Sequence, residues 1–458
     1  MSNPSVVSAE ASMPASSLRR SILRLAWPAI TEQMLHMTVG MADTIMVGRL
    51  GPAALAAVGL ANQITMTLVG VVSAVSTGTT ALVARHIGAQ EPDRANHVAR
   101  QSLVMAFLLA VVVSIIAFSG ADFFMDVLFH RTEEVVRHDA AVYIRVLAVA
   151  MIANFLLIIS NGVLRGAGDT KTPMYITACV NLLNIIGNAV LIFGLGPFPK
   201  LGILGAAIST AFAQTVGGVI VIVILFSGKR VIRMSWRDSF RPEQATINRV
   251  LRIGVPAAFE HAVMRIGQIL YTIIVSSLGT VAYAAHQVAL NAESLSFMPG
   301  FGFALAATTL VGQALGAEDQ ELAERSNKEA MKMAMAVMTV LGVVLFVWAT
   351  PLVRFFVNDE QTIIIGAEVL RIVAFCQPAL AMVMVLNGGL RGAGDTVAIM
   401  VIAGIGFCVV RTGFAYLLAI QMNMGLVGAW IAMGIDLILR AGMLWGRFKQ
   451  GRWKYLRV

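Results

Sequence analysis

One ten-residue segment occurs twice in this chain. Residues 161–170 read NGVLRGAGDT and residues 387–396 read NGGLRGAGDT, an offset of 226 in a chain of 458. The match extends to both sides. Arg24, Pro28 and Glu32 return as Arg252, Pro256 and Glu260, and Leu50 and Gly51 as Leu278 and Gly279. Gly88 and Ala89 return as Gly316 and Ala317, Arg145 as Arg371, and Gly202 and Gly205 as Gly425 and Gly428. The chain is therefore two copies of one unit, and any architecture read for one half must also serve the other.

Composition names the solvent of that unit. Hydrophobic residues make up 58% of the chain and charged residues only 13%, where a soluble domain has about 25% charged residues. Twelve mostly apolar spans recur, near 22–47, 54–84, 99–120, 140–164, 172–195, 203–227, 250–277, 282–312, 330–350, 364–390, 398–421 and 425–446. Each is about the 20 residues that a hydrocarbon core of about 30 Å demands of a helix. Backbone groups in lipid must be satisfied within the segment, so the spans are expected to be helices. The short alternating strands of an outer-membrane barrel are missing from the sequence. Six spans per copy is an even number, so both copies enter the membrane in the same orientation. The expectation is an all-α membrane protein with twelve transmembrane helices in two parallel-repeat six-helix lobes around a central cavity, an arrangement found in secondary transporters. The expected boundaries are a disordered tail at 1–18, a first lobe at 19–227, a cytoplasmic linker at 228–249, a second lobe at 250–447 and a basic tail at 448–458.

Charge orients the spans. With the N-terminus inside, the inner segments hold Arg19, Arg20, Arg24, Arg85, Arg94, Arg100, Arg165 and Lys171, the basic run from Lys229 to Arg252, and the tail from Arg447 to Arg457. The outer side holds Arg49, Arg131, Arg137, Lys200 and Arg354. This positive-inside asymmetry places both termini in the cytoplasm of a bacterial-type inner membrane. The net charge of +9 is accounted for by basic loops facing anionic membrane lipids, with no nucleic acid partner required. Cys179, Cys376 and Cys408 fall inside spans, at spacings that fit neither a metal site nor a disulfide framework. The glycines of the repeated motif lack the Lys-Ser/Thr of a phosphate loop. No nucleophile–base set is apparent. The reading is a non-enzyme without a cofactor, driven by an ion gradient.

Polar side chains inside spans carry the functional argument, because each ionisable one costs at least about 2.5–3.5 kcal/mol on insertion scales and usually faces a cavity or a partner. Glu32, His36 and Asp43 share one face of the first span, given about 3.6 residues per turn. The matching face of the seventh span holds Glu260, Met264, Gln268 and Tyr271. Asp43 therefore has no acidic counterpart, since its repeat mate is Tyr271. Glu32 and Glu260 lie nearer the cytoplasmic ends, where Arg24 or Arg252 could pair with them. In the fifth span Thr177, Asn181, Asn184 and Asn188 form one face. Such amides either join helices or line a wet, ion-binding site. Asn62, Gln63, His286, Gln287, Asn291 and Glu293 add polarity to the second and eighth spans.

The motifs around Asp43 (DTIMVGRLG), Leu164 (LRGAGDT), Ala285 (AHQVALN) and Leu390 (LRGAGDT) together resemble the multidrug and toxic compound extrusion (MATE) family, over residues from about 20 to 447. The resemblance implies two six-helix lobes and antiport of organic cations or other toxic compounds against H⁺ or Na⁺. The family's first-span Asp, a key ion-coupling residue, falls on Asp43, and its fifth-span polar pair falls on Asn184 and Asn188. Some branches carry Asp at the second of these positions. One branch has acidic residues where this chain has Leu380 and Met264, so a Na⁺ site in the second lobe is not expected.

The resulting expectation is a monomeric, ion-coupled exporter of small organic cations that works by alternating access. Asp43, Asn181, Asn184 and Asn188 would handle the coupling ion, H⁺ in preference to Na⁺, with Asp43 as the ligand if Na⁺ is used. Glu32, His36, Glu260, Gln268, Tyr271, Gln63 and Asn291 would contact substrate. Two other readings are a lipid-linked oligosaccharide flippase, for which Arg145, Arg265, Arg371 and Arg411 would supply positive charge, and a membrane scaffold without transport.

Overall fold

The computed structural model describes residues 15–228, 231–235 and 239–456. The described residues are overwhelmingly helical. The helices are α1 (Ala15–Gly48), α2 (Pro52–Gly88), α3 (Pro92–Leu128), α4 (Glu134–Gly166), α5 (Lys171–Phe193), α6 (Ile203–Phe226), α7 (Gln244–Ser276), α8 (Thr280–Gly316), α9 (Gln320–Val347), the short α10 (Ala349–Phe356), α11 (Glu360–Ala393), α12 (Thr396–Gln421) and α13 (Gly425–Lys449). Apart from α10, they correspond to the twelve expected spans. In α12, two π-helical stretches, Ile405–Arg411 and Tyr416–Gln421, interrupt the α-helix. Ten helical stretches among the described residues are long and apolar enough to cross a membrane. Of the long helices, α1 and α7 are not among them, and both carry intramembrane acids and amides, Glu32 and Asp43 in one, Glu260 and Gln268 in the other.

The duplicated decapeptide is a helix-to-helix connector. Gly168 and Gly394 both have φ +85°, a left-handed conformation that a Cβ disfavours, and they end α4 and α11. The next amide reaches back in both copies: Asp169 N donates to Leu164 O and Asp395 N to Leu390 O, each at 2.8 Å, a C-cap bond of Schellman type. The Asp side chains then diverge. Asp169 Oδ1 accepts from Thr172 N at 3.0 Å, capping α5, whereas Asp395 holds Arg447 of α13 at 2.7 Å.

Two compact units form, and they differ from the boundaries expected from the loops. One comprises Thr31–Ile87 and Glu91–Gly254; the other comprises the described residues up to Ile30, Gly88–Gln90 and those from Val255 on. The first helix of each repeat is thus divided between units, α1 after Ile30 and α7 after Gly254. Pro28 and Pro256 lie within a few residues of these points, where a missing N–H and the ring's clash loosen a helix. Of the tail expected to be disordered, residues 1–14 lie outside the described residues, while residues 15–18 are helical and Leu18 is buried. The expected linker also holds structure: Ile232 and Met234 are buried, Gln101 bonds the backbone of both Arg241 and Glu243, and α7 already begins at Gln244. The basic tail folds back. Trp453 is fully buried, stacks on Phe448 with ring centroids 4.9 Å apart and donates Nε1–H to Phe448 O, while Lys454 pairs with Glu324.

Within the units, the repeat governs helix packing as well as sequence. Thr80 Oγ1 donates to Gly162 O at 3.0 Å between α2 and α4, and Thr308 Oγ1 donates to Gly388 O at 2.8 Å between α8 and α11. Small residues permit this approach, as membrane helix interfaces generally require. A Cβ on Gly388 would lie 2.2 Å from the Ala304 carbonyl oxygen, which is backbone and cannot step aside. Gly388→Val is expected to force α8 from α11, at about 1–3 kcal/mol or more for overpacking. The check is the monodisperse fraction recovered in detergent, which should fall sharply against wild type.

Candidate ion-coupling site

In the unit that contains α2 to α6, the second half of α1 runs beside α5 and is tied to it along its length. Near the start of the shared stretch, Glu32 Oε1 accepts from Arg165 Nη2 at 2.5 Å and from Thr177 Oγ1 at 3.4 Å. Next along the helices, Asn181 Nδ2 donates to the Leu35 carbonyl at 2.6 Å. At the far end, Asn188 Nδ2 donates to Asp43 Oδ1 at 2.5 Å and to Asn184 Oδ1 at 3.3 Å. Asn184 passes the chain on to α6, donating to Thr210 Oγ1 at 3.0 Å while its backbone oxygen accepts from Ser209. Tyr143 of α4 is buried within hydrogen-bonding reach of Thr210. The amide face of α5 thus joins helices, and its last amide, Asn188, meets the Asp43 carboxylate.

This arrangement suits a small cation or a proton. Asp43 is half-buried, so its charge is incompletely hydrated, yet it remains reachable. Among the described residues its one side-chain donor is the neutral Asn188. Asn188 Oδ1 is buried without a protein partner, which leaves a second oxygen beside the carboxylate. Asn184 Oδ1 and Thr210 Oγ1 complete a group of oxygens from three helices. Among the described residues no cluster of three or more His, Cys, Asp or Glu side chains could hold a metal ion. Tyr143, Ser209 and Thr210 were missed by the sequence reading, which drew no polar face on their spans.

The expected substrate contacts divide into two groups. His36, Gln63 and Asn291 are exposed and Gln268 is half-exposed, so these remain available to a ligand. Glu32 and Glu260 do not behave as expected. They are 3% and 1% exposed, and their partners are Arg165 and Arg391 (Glu260 Oε1 to Arg391 Nη2, 2.7 Å) rather than Arg24 and Arg252. A neutralised, buried carboxylate attracts no cationic drug. The signal for the true pairs was present in the sequence, because both the acid and the base recur in both repeats at nearly the same offset. Tyr271 is also buried. It packs against His286, which accepts a bond from Trp430, and beneath the guanidinium of Arg411, whose carbon is 5.9 Å from the ring. The arginines that would make a cationic cavity are largely engaged: Arg145 by Asp122, Arg371 by the Thr350 hydroxyl and Arg411 by Asp436.

Both halves of the chain match the MatE family model, at residues 28–190 and 256–417. The chain belongs to the MatE family. The same relationship appears across whole chains. A protein of Thermotoga maritima called "Probable multidrug resistance protein NorM" is 32% identical over 95% of this chain and 93% of its own length. A solved structure described as the outward-facing conformation of a multidrug resistance MATE family transporter of the MOP superfamily superposes with TM-score 0.87 at 26% identity, covering 95% of this chain and 97% of that one. A MOP superfamily transporter from Pyrococcus furiosus, whose binding pocket is described as having reverse polarity, gives TM-score 0.88 at 26% identity over 96% and 97% of the two chains. Like other members of the MatE family, the chain is a multi-pass membrane protein of two related six-helix halves.

Proposed function

We propose that this MatE-family chain exports small organic cations by ion-coupled antiport, with Asp43 as the coupling carboxylate and H⁺ as the ion. The observation that carries this reading is the bond between Asp43 and Asn188, set in a chain of amides and hydroxyls that runs from α1 through α5 to α6. Binding an ion at Asp43 removes the charge that Asn188 solvates and so changes how α1 is held against α5. Drug and ion compete through that change: each disfavours the carrier state that holds the other, which is all that antiport requires. Alternating access exposes Asp43 first to the outside, where the ion is taken up and drug released, and then to the cytoplasm, where the ion leaves and drug enters. The termini face the cytoplasm, as the distribution of basic residues favours. His36, Gln63, Gln268 and Asn291 are the polar substrate contacts, and methionines such as the exposed Met34 and Met41 supply an adaptable apolar surface.

H⁺ is chosen over Na⁺ because a single carboxylate is enough to carry a proton, and the neighbour of Asp43 is the neutral Asn188 rather than a second acid. In proteoliposomes, uptake of a fluorescent organic cation is expected to follow an imposed pH gradient in sodium-free buffer. A requirement for Na⁺ together with indifference to the pH gradient would assign the Asp43, Asn184 and Asn188 oxygens to sodium instead. Absence of cation transport under either gradient would reject the exporter reading.

A further inference from the structure

In the unit that contains α8 to α13, one oxygen of the Glu260 carboxylate is satisfied and the other is not. Oε1 accepts from Arg391, but Oε2 is buried without a protein partner, in a residue only 1% exposed. Asn387, one turn before Arg391 on α11, likewise buries an unpartnered Oδ1. Glu260 and Asn387 line the same small cavity, together with Met264, Ala403, Arg440 and Leu444. Two buried acceptors without a donor carry a desolvation penalty, and polar cavities of about this size hold single waters that make two to four hydrogen bonds. A hydrogen-bond donor the size of water would serve both acceptors.

The cavity lies between two charged groups. On one side is the pair of Glu260 and Arg391. On the other, Asp436 is fully buried and held by two arginines: Arg440 at 2.7 Å through both Nε and Nη2, and Arg411 at 2.9 and 2.8 Å. The two guanidiniums also pack on the ring of Phe407, at 4.4 and 4.3 Å from its centroid. We propose that one water occupies the cavity, donating to Glu260 Oε2 and Asn387 Oδ1 beside Arg440. It joins Arg391, Glu260, Arg440, Asp436 and Arg411 into a single chain whose charges alternate in sign. This chain fastens the second half of α7 to α11, α12 and α13. A sodium ion does not suit the cavity, because a guanidinium lines it and like charges repel most strongly where water is excluded. The feature belongs to the second repeat alone. The first repeat keeps the Glu32–Arg165 pair and an unpartnered Asn161 Oδ1. At the positions matching Asp436 and Arg440, however, it has Ala213 and Gly217, so its chain ends at the pair. The inference does not depend on which ion or substrate is transported.

The primary test is an experimental map of the wild-type protein that resolves internal waters. Density within hydrogen-bonding distance of both Glu260 Oε2 and Asn387 Oδ1 is expected. An empty cavity in a map that shows other buried waters would overturn the proposal, as would an anomalous peak there after soaking in rubidium. Ala403 supplies a second test in solution, because Thr and Val have the same shape but differ in a hydroxyl. Ala403→Thr brings a donor that can replace the water, so its Tm is expected to lie above that of Ala403→Val. A Tm for Ala403→Val equal to or above that of Ala403→Thr would mean that the cavity is dry, and would refute the proposal without reference to the map.

Discussion

Asp43→Asn is expected to abolish gradient-driven drug efflux while leaving the amount of membrane-inserted protein near that of wild type. The substitution preserves shape, and the new amide still offers an oxygen to Asn188 Nδ2, so the 2.5 Å contact that ties α1 to α5 survives. What is lost is the negative charge, and with it the ability to exchange a proton or bind sodium. No neighbour replaces it: the repeat mate is Tyr271, and the polar groups around it are the neutral Asn184, Asn188 and Thr210. Binding of a fluorescent cation at equilibrium, measured in parallel, separates loss of coupling from loss of substrate affinity. Normal efflux by Asp43→Asn would show that the carboxylate is structural.

Arg391→Ala is expected to destabilise the protein by about 3–5 kcal/mol, the range for removing one partner of a buried ion pair. The cost arises less from the lost bond than from the stranded Glu260, which is 1% exposed and has no protein partner for its other oxygen. The signature is therefore in the double substitution. Adding Glu260→Gln to Arg391→Ala removes the uncompensated charge and should recover a large part of the lost Tm in detergent. If the double variant is no more stable than Arg391→Ala alone, the arginine acts through other contacts. An ion pair inside an apolar helix bundle adds little net stability relative to apolar residues of similar size. Its recurrence at Glu32–Arg165 and Glu260–Arg391 is better explained by register, since each pair sets how the first helix of a repeat lies against the fourth.

The duplication, the long apolar spans and the amide face of α5 are all legible in the sequence, because each depends on local order. A helix in lipid must satisfy its own backbone, so hydropathy alone marks it. Three amides spaced at helical intervals must share a face whatever surrounds them, and the structure places that face against Asp43. Pairing across helices is a different matter, because it depends on how two cylinders are rotated about their axes, which no single span encodes. Glu32 and Glu260 read as acids that Arg24 and Arg252 could pair with; the recurrence of Arg165 and Arg391 in both repeats hints at the alternative, and packing shows that these are the arginines that reach them. Tyr271 lies on a polar stripe by periodicity, yet it is enclosed by His286 and Arg411. Asp436 and Arg440 stand at i,i+4 in α13, so their pairing is local, but the cluster forms only when α12 supplies Arg411. The unit boundaries, too, are decided by packing. Loops mark where the chain turns, but α1 and α7 each cross from one compact unit to the other within an unbroken helix, because burial follows contact in space and not position in sequence.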